Sequence, residues 1–360
     1  MTRGDVDVDE LVRAARAGRP RAVARLISLV EDASARLPGV MAALVAHTGS
    51  AYVIGLTGAP GVGKSTSTSM LVGALRRQHL RVGVLAVDPS SPFSGGALLG
   101  DRVRMQEHAT DPEVFIRSMA SRGHLGGLAW ATPQALRVLD AAGCDVICVE
   151  TVGVGQSEVE VAALADTTVV LLAPGMGDGI QAAKAGILEV GDVYVVNKAD
   201  RDGAEATMRE LRHMLSLGER RQPGDWRPRV VATVAVRGEG LDELVEALQA
   251  HREWLESTGQ LRARRLHRAA EEIEAIAVTA LRERMGDLRG GLLDRLAEDV
   301  LAGRTDPYAA ADELIDGVGV GPRPPAPGPA VRPGSAGSHA VRPGSAGSHA
   351  AGSHAAGSQQ

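Results

Sequence analysis

Residues 58 to 66 carry a complete phosphate-loop motif, Gly-x-x-x-x-Gly-Lys-Ser. The apolar run from Ala51 to Leu56 before it predicts a buried strand, and Ser65 to Arg77 after it predict a helix. This order of elements forms an anion cradle, because backbone N–H groups and the helix dipole both face the anion. The motif therefore predicts a P-loop nucleotide-binding domain in which Lys64 reaches the outer phosphates and Ser65 holds Mg²⁺. The predicted loop residues are Gly58, Ala59, Pro60, Gly61, Val62, Gly63, Lys64, Ser65 and Thr66.

Six further strand candidates follow the loop, and predicted helices separate most of them. The candidates are apolar runs rather than alternating patterns, which is typical of strands buried on both faces. We therefore predict an α/β fold with a mostly parallel sheet flanked by helices on both sides. The predicted strands are Val82–Val87, Glu113–Arg117, Val146–Glu150, Thr168–Leu172, Val193–Val196 and Arg229–Val234. The predicted helices include Pro133–Ala142, Ile180–Val190, Ala204–Leu217 and Leu241–Ala250.

Pattern and composition divide the chain into four predicted segments. Residues 1–50 are expected to form an N-terminal helical extension, and residues 51–250 the nucleotide-binding domain. Residues 251–316 carry only helical patterns and are predicted to be an arm that packs on a second copy of the chain, with a cap on its own domain as the alternative. Residues 317–360 are rich in Gly, Pro, Ser and His, and ten of them repeat identically, so this tail is expected to be disordered.

The sequence Asn-Lys-Ala-Asp at positions 197–200 follows a predicted strand and indicates which base is bound. A carboxylate at Asp200 can accept both the N1–H and the exocyclic amine of guanine, a pattern that adenine does not present. Asn197 and Lys198 belong to the same motif. Backbone N–H groups after the next strand are expected to close over the base, from Val234, Ala235 and Val236.

Three carboxylates after the loop are candidates for the metal site. Asp88 and Glu150 end predicted strands, and Asp101 lies in the segment between them. Oxygen ligands of this kind suit a hard cation that keeps some of its water. Gly153 is expected to offer its N–H to the γ-phosphate. The predicted catalytic residues are Lys64, Asp88, Glu150 and Gly153, and the predicted metal ligands are Ser65, Asp88, Asp101 and Glu150.

Two segments bear on the rate and control of hydrolysis. In Ras-like GTPases a glutamine that orients water follows the glycine that senses the γ-phosphate, whereas Val154 takes that place here and Gln156 comes two residues later. This predicts slow intrinsic hydrolysis that rises when a partner or a dimer mate reorders the loop. Three glycines surround Asp178 ahead of a predicted helix, which indicates a mobile loop that senses the nucleotide state; an ordinary strand-to-helix turn is the alternative.

Composition limits the classes of partner and compartment. A net charge of -5 argues against a general nucleic-acid binder. Cys144 and Cys148 are too few for a disulfide framework and are expected to be buried small residues. No apolar run approaches the ~20 residues that span a bilayer, and the first residues hold no apolar signal core. We therefore expect a cytoplasmic protein that binds neither nucleic acid nor membranes.

Several of these motifs together resemble the MeaB / methylmalonic aciduria type A GTPases, also called ArgK-type proteins. The resemblance runs from about residue 8 to Asp316, and it rests on Gly58–Thr66, Asp88–Ser91, Gly95–Arg102, Glu150–Ser157 and Gly175–Lys184. It implies a homodimeric SIMIBI-class GTPase that uses GTP/GDP and Mg²⁺. Such proteins act as chaperones of adenosylcobalamin-dependent acyl-CoA mutases, chiefly methylmalonyl-CoA mutase, and gate delivery of the cofactor from an adenosyltransferase.

The resemblance also implies roles for further residues. Gln156, Asp178 and Lys184 would be switch residues, and the C-terminal helices would form the dimerisation arm. Two alternative functions stay open, a nickel-insertion GTPase of the same class and a kinase of a periplasmic transport protein. The absence of a Cys-Pro-His motif counts against the first, and the guanine motif that ends at Asp200 counts against the second.

Overall fold

The computed structural model describes residues 7–32, 34–89, 105–121, 131–151, 157–175, 190–217, 224–287 and 289–317. The chain divides into two compact units, with the division between Val278 and Thr279. The first unit contains the sheet and the candidate nucleotide site, and the second contains the last described helices. The four segment boundaries given above stay predictions.

Seven parallel strands form one sheet in the order β3-β2-β4-β1-β5-β6-β7. The seven predicted strands and the α/β fold class are therefore confirmed. β1 lies between β4 and β5, so the loop that follows it leaves the middle of the sheet at the carboxyl edge, where open α/β sheets bind ligands. The strands are β1 Tyr52–Gly58, β2 Val82–Pro89, β3 Val114–Ser121, β4 Val146–Thr151, β5 Thr167–Leu172, β6 Val193–Asn197 and β7 Arg229–Thr233.

Helices precede, flank and follow the sheet. The helix predicted over Ala204–Leu217 is confirmed with those bounds, whereas the helix from Leu241 continues to Ser257 rather than ending at Ala250. Apart from Val190, the helix predicted over 180–190 lies outside the described residues. The helices are α1 Val8–Arg16, α2 Pro20–Glu31, α3 Leu37–Leu44, α4 Lys64–Arg77, α5 Ala131–Ala141, α6 Ser157–Leu164, α7 Ala204–Leu217, α8 Leu241–Ser257, α9 Gln260–Asp287, α10 Asp294–Leu301 and α11 Pro307–Gly317.

Alternate residues of the central strands enter different cores. Val53 of β1 packs with α1, α2, α3 and α5 on one face, whereas Ile54 and Leu56 pack with α4 and α8 on the other. Burial on both faces explains why the strands are apolar runs. The N-terminal helical extension is confirmed, and it joins the first core through fully buried residues such as Leu26 and Ile27.

Ion pairs join the start of α9 to the amino edge of the sheet. Asp166 precedes β5 and is fully buried, and its carboxylate accepts hydrogen bonds from Arg265 (2.7 Å) and Arg268 (3.2 Å). Asp192 precedes β6 and accepts two from Arg264, at 2.8 and 2.9 Å. We call these five residues the amino-edge cluster. It lies at the end of the strands opposite to the phosphate loop.

The second unit is helical in its described part. A π-helical turn at Arg289–Leu293 is followed by α10 and α11. These two helices share a small core of Leu296, Ala310 and Leu314. No helix in the described ranges combines the length and the apolar character that crossing a bilayer requires.

Candidate functional site

The phosphate loop connects the end of β1 at Gly58 to the start of α4 at Lys64. Two of its glycines are required by their surroundings. Gly63 has φ +97°, and a Cβ there would lie 2.4 Å from Nδ2 of Asn197; at Gly58 it would lie 2.3 Å from the carbonyl oxygen of Leu171. The loop therefore has the tight backbone path that the motif predicts.

Lys64 is buried at the N-terminus of α4, and its ammonium group lies against the loop backbone. Its Nζ donates to the carbonyl oxygens of Gly58 (2.6 Å) and Ala59 (3.1 Å). This curls the side chain back over the loop that it follows. The positive charge is thus held where an anion at the helix N-terminus would meet it.

Glu150 ends β4 beside the loop and organises two hydroxyl groups. Ser65 donates to its Oε1 at 2.6 Å, and Thr68 donates to its Oε2 at 3.0 Å. The Glu150 side chain is 4% exposed, so both of its oxygens are held in a fixed direction. Sequence reasoning did not single out Thr68. Its position three residues after Ser65 places both hydroxyls on one face of α4, which is the signal that could have found it.

The donor set at this place fits Mg²⁺. A buried carboxylate and a serine hydroxyl are hard oxygen ligands at the edge of the phosphate loop. Asp88 lies near the end of β2, next to β4 in the sheet. Its side chain and the whole of Asp101 lie outside the described residues. Within the described residues, no group of three or more His, Cys, Asp or Glu side chains could hold a metal ion by itself.

Asn197, at the end of β6, joins the phosphate loop to the loop after β7. Its Nδ2 donates to the carbonyl oxygen of Val62 at 2.8 Å. Its Oδ1 accepts from the hydroxyl of Thr233 (3.2 Å) and from the backbone N–H of Ala235 (3.1 Å). One side chain therefore fixes the distance between the two halves of the site. Sequence reasoning placed the segment that begins at Thr233 beside the base but did not predict this contact of the Thr233 hydroxyl.

Lys198 reaches the phosphate loop as well. Its backbone is left-handed, with φ +59°, and its Nζ donates to the carbonyl oxygen of Gly61 at 2.6 Å. The asparagine and the lysine of the predicted base motif thus both bind the loop backbone. This couples the shape of the phosphate loop to that of the predicted base site.

Asp200 lies at the outer end of the base motif, and its side chain is 37% exposed. Its Oδ2 accepts from Nη1 of Arg237 at 3.2 Å. Two of the three N–H groups expected to close over the base are used within the protein, that of Val234 by the carbonyl oxygen of Glu239 (3.1 Å) and that of Ala235 by Asn197. They hold the loop in shape.

Several predicted residues cannot be located. Gly153, Gln156, Asp178 and Lys184 lie outside the described residues, as Asp101 does. The structure brings together the phosphate loop, Glu150, the base motif and the loop at positions 234–236.

The two cysteines are buried free thiols, as expected. Burial raises the pKa of each to about 12, since the thiolate would lose its hydration. Neither thiol is therefore a nucleophile or a thiolate ligand at neutral pH.

Comparisons with known proteins agree with this geometry. The family described as "Methylmalonyl Co-A mutase-associated GTPase MeaB" matches residues 23–288. A Pyrococcus abyssi protein whose name describes a GTPase is 48% identical over 310 residues, which cover 86% of this chain and 96% of that protein. The mitochondrial methylmalonic aciduria type A homolog of Mus musculus is 41% identical over 217 residues, 59% of this chain and 52% of that protein. The crystal structure of an LAO/AO transport system kinase matches with a TM-score of 0.66 at 26% identity, covering 88% of this chain and 100% of the other.

Proposed function

Because the chain belongs to the MeaB family of methylmalonyl-CoA mutase-associated GTPases, and is itself a GTPase, we propose that it serves an adenosylcobalamin-dependent acyl-CoA mutase as a chaperone. Methylmalonyl-CoA mutase is the first candidate. In this proposal GTP binding and hydrolysis gate delivery of the cofactor from an adenosyltransferase and protect the mutase. The observation that carries the choice of a mutase is the family match over residues 23–288. The double role of Asn197, which binds Val62 in the phosphate loop and Ala235 beside the predicted base site, supports binding of a whole nucleotide.

The phosphate side of the mechanism uses the phosphate loop, the backbone N–H of Gly153 and three carboxylates from outside the loop. Backbone N–H groups of the loop and the ammonium of Lys64 bind the β- and γ-phosphates, and Gly153 adds an N–H to the γ-phosphate. Ser65 and Glu150, with Asp88 and Asp101, would hold Mg²⁺, which supplies positive charge to the phosphate oxygens. Glu150 also orients the hydroxyl of Ser65 through their 2.6 Å hydrogen bond.

The base side of the mechanism selects guanine. Asp200 accepts the N1–H and the exocyclic amine, and the loop at positions 234–236 closes over the base. Asn197 and Lys198 tie this pocket to the phosphate loop. A base that leaves Asp200 without its donors would bind more weakly, because a polar group in a closed pocket then loses its hydration without replacement.

Control by partners follows from the slow hydrolysis that Val154 predicts. We assign Gln156, Asp178 and Lys184 to the switch segments that the mutase rearranges.

The chain acts as a homodimer in this proposal, through exposed apolar residues of α9. Leu266 is 69% exposed and Ile273 68%, and they lie seven residues apart on one side of the helix. The buried free thiols suit a reducing compartment such as the cytoplasm.

Single-turnover GTP hydrolysis with and without purified methylmalonyl-CoA mutase tests the proposal. The chain alone should hydrolyse GTP slowly, and the mutase should raise the rate about tenfold or more. Lys64→Ala should hydrolyse slowly under both conditions, which shows that the added activity comes from this site. Fast hydrolysis by the chain alone, or a rate that the mutase does not change, would contradict the proposed control.

A further inference from the structure

Arg237 lies between two carboxylates at the outer edge of the base site. Its Nε donates to Oε1 of Glu239 at 2.6 Å, and its Nη2 faces the other oxygen, Oε2, at 3.3 Å. The remaining Nη1 donates to Oδ2 of Asp200 at 3.2 Å. The guanidinium is therefore held by a bidentate pair on one side and aims a single N–H at the base-reading carboxylate on the other.

The backbone around Glu239 fixes the position of this pair. Gly238 and Gly240 on either side have φ of +71° and +75°. At Gly240 an added Cβ would lie 2.0 Å from the carbonyl oxygen of Ala232, so the chain passes too close for any side chain. The carbonyl oxygen of Glu239 also accepts the N–H of Val234. The turn that carries Arg237 and Glu239 is thus set by the backbone.

The contact leaves Asp200 able to bind a base. Each carboxylate oxygen can accept two hydrogen bonds, and Arg237 uses one position on Oδ2. Oδ1 and the second position on Oδ2 can still meet the two donors of guanine. The Arg237 and Asp200 side chains are 49% and 37% exposed, so the pair adds little to folding stability. The contact with Arg237 instead affects the direction in which the Asp200 carboxylate points.

We propose that Arg237, held by Glu239, is a positioning residue that orients the Asp200 carboxylate and so determines selectivity for bases that carry an exocyclic amine at this place. The inference rests on the proposed reading of guanine by Asp200. Arg237 does not touch the base in this role. It acts by fixing both oxygens of Asp200 in the plane where the N1–H and the amine arrive together.

Equilibrium binding of GDP and inosine diphosphate, which lacks the exocyclic amine, tests this on the full chain with Mg²⁺. Arg237→Ala should weaken GDP about fivefold to tenfold, the equivalent of one hydrogen bond, and inosine diphosphate less than about twofold. Arg237→Lys should recover part of the difference, since it keeps the charge without the fork. Glu239→Gln should also lower the preference for GDP over inosine diphosphate, by a smaller factor than Arg237→Ala.

Arg201→Ala is the matched control, because it removes an exposed arginine from the turn that carries Asp200. It should leave the ratio of the two affinities unchanged. Equal weakening of both nucleotides in Arg237→Ala would assign Arg237 a purely structural role, and tighter GDP binding would make it a competitor of the base. Unchanged affinities for both nucleotides would show that the contact of Arg237 with Asp200 is only a surface ion pair. Each of these results overturns the proposal.

The wild type separates the two levels of inference. If it binds GDP and inosine diphosphate equally, the reading of the exocyclic amine by Asp200 fails, and the role of Arg237 fails with it. If the wild type prefers GDP and Arg237→Ala keeps that preference, only the role of Arg237 fails. Thermal unfolding of each variant should match the wild type, since the pair is exposed.

Discussion

In the proposed function the carboxylate of Asp200 reads the base, so replacing the carboxylate with an amide tests the site at the residue scale. Asp200→Asn should weaken GDP binding on the order of 100-fold, since one of the two hydrogen bonds is lost and the other no longer has a charged acceptor. Xanthosine diphosphate should bind better to the variant, because the new N–H₂ can donate to the second xanthine oxygen. Competition binding measures both, and Asp202→Asn on the same exposed turn is the control.

The predicted exchange of preference is the discriminating result. An Asp200→Asn variant that keeps its affinity for GDP and gains none for xanthosine diphosphate would show that another group reads the base. The phosphate loop would keep its role in that case.

Gly63 tests the coupling between the phosphate loop and Asn197. Alanine there would place its Cβ 2.4 Å from Nδ2 of Asn197, whereas alanine at Gly61 would meet nothing within 4 Å. Both positions have positive φ, so both variants carry backbone strain, and the clash is the difference between them. In the nucleotide-free protein Gly63→Ala should unfold about 1–3 kcal/mol more easily than Gly61→Ala. Equal stabilities by urea unfolding would contradict the observed packing.

The sequence predicted site residues that belong to contiguous motifs and missed those that depend on tertiary contacts. Lys64 and Asp200 were predicted because short motifs contain them. The contacts of the Thr233 hydroxyl and of Arg237 were not predicted, since each joins a residue 36 or 37 positions earlier in the chain. Arg237 further depends on a turn whose path is set by Gly238.

At the scale of elements, the amino-edge cluster fixes α9 on the sheet. Asp166→Ala should lower the free energy of unfolding by about 3–5 kcal/mol, because Arg265 and Arg268 would lose a fully buried partner. The N–H of Val53 would lose its acceptor as well. Glu205→Ala on α7 removes a carboxylate that is 93% exposed and should cost less than about 1 kcal/mol. Urea unfolding compares the two, and similar losses would contradict the burial of the cluster.

His251 on α8 gives folding a pH dependence. It is fully buried, its Nδ1 lies 2.7 Å from the hydroxyl of Thr167, and its Nε2 lies 3.3 Å from Oδ1 of Asp192 without hydrogen-bond geometry. Burial lowers its pKa to about 4; Asp192 raises it and Arg264 lowers it further. The unfolded chain has a histidine pKa near 6.5 and binds the proton first.

The part of the free energy of unfolding that depends on a neutral His251 is therefore fully present above pH 6.5. It is lost as the pH falls towards 4, because the unfolded chain then binds the proton more tightly than the folded chain. Between pH 7 and pH 5 the wild type should lose about 2 kcal/mol more than His251→Gln. Urea unfolding at the two pH values measures this difference. The same loss in both proteins would show that His251 is not held neutral in the fold.

Helices and strands could be predicted where the local sequence shows which residues are buried. All seven strands were found because residues on both faces of the sheet are apolar. The end of α8 was placed too early, since His251 and Arg252 interrupt the apolar pattern. His251 is buried through its contact with Thr167, which only the folded chain brings near.

At the scale of the whole molecule, the exposed apolar side of α9 predicts a dimer. Leu266→Asp combined with Ile273→Asp should convert the dimer to a monomer, because charges would replace the apolar contact. Leu217→Asp on α7 is the control, since that leucine is 70% exposed on another helix. Analytical ultracentrifugation measures the oligomeric state of the full-length wild type and of both variants. A wild-type monomer, or a dimer that both changes leave intact, would contradict the role of α9.

The most direct test of the proposed function is the affinity of the full chain for purified methylmalonyl-CoA mutase in three states, without nucleotide, with GDP and with a non-hydrolysable GTP analogue. The affinity should differ by about fivefold or more between the two nucleotide states, since a gate must couple the two binding events. In Asp200→Asn the response should move from guanine to xanthine nucleotides. No binding in any state, or one affinity in all three, would contradict the chaperone function.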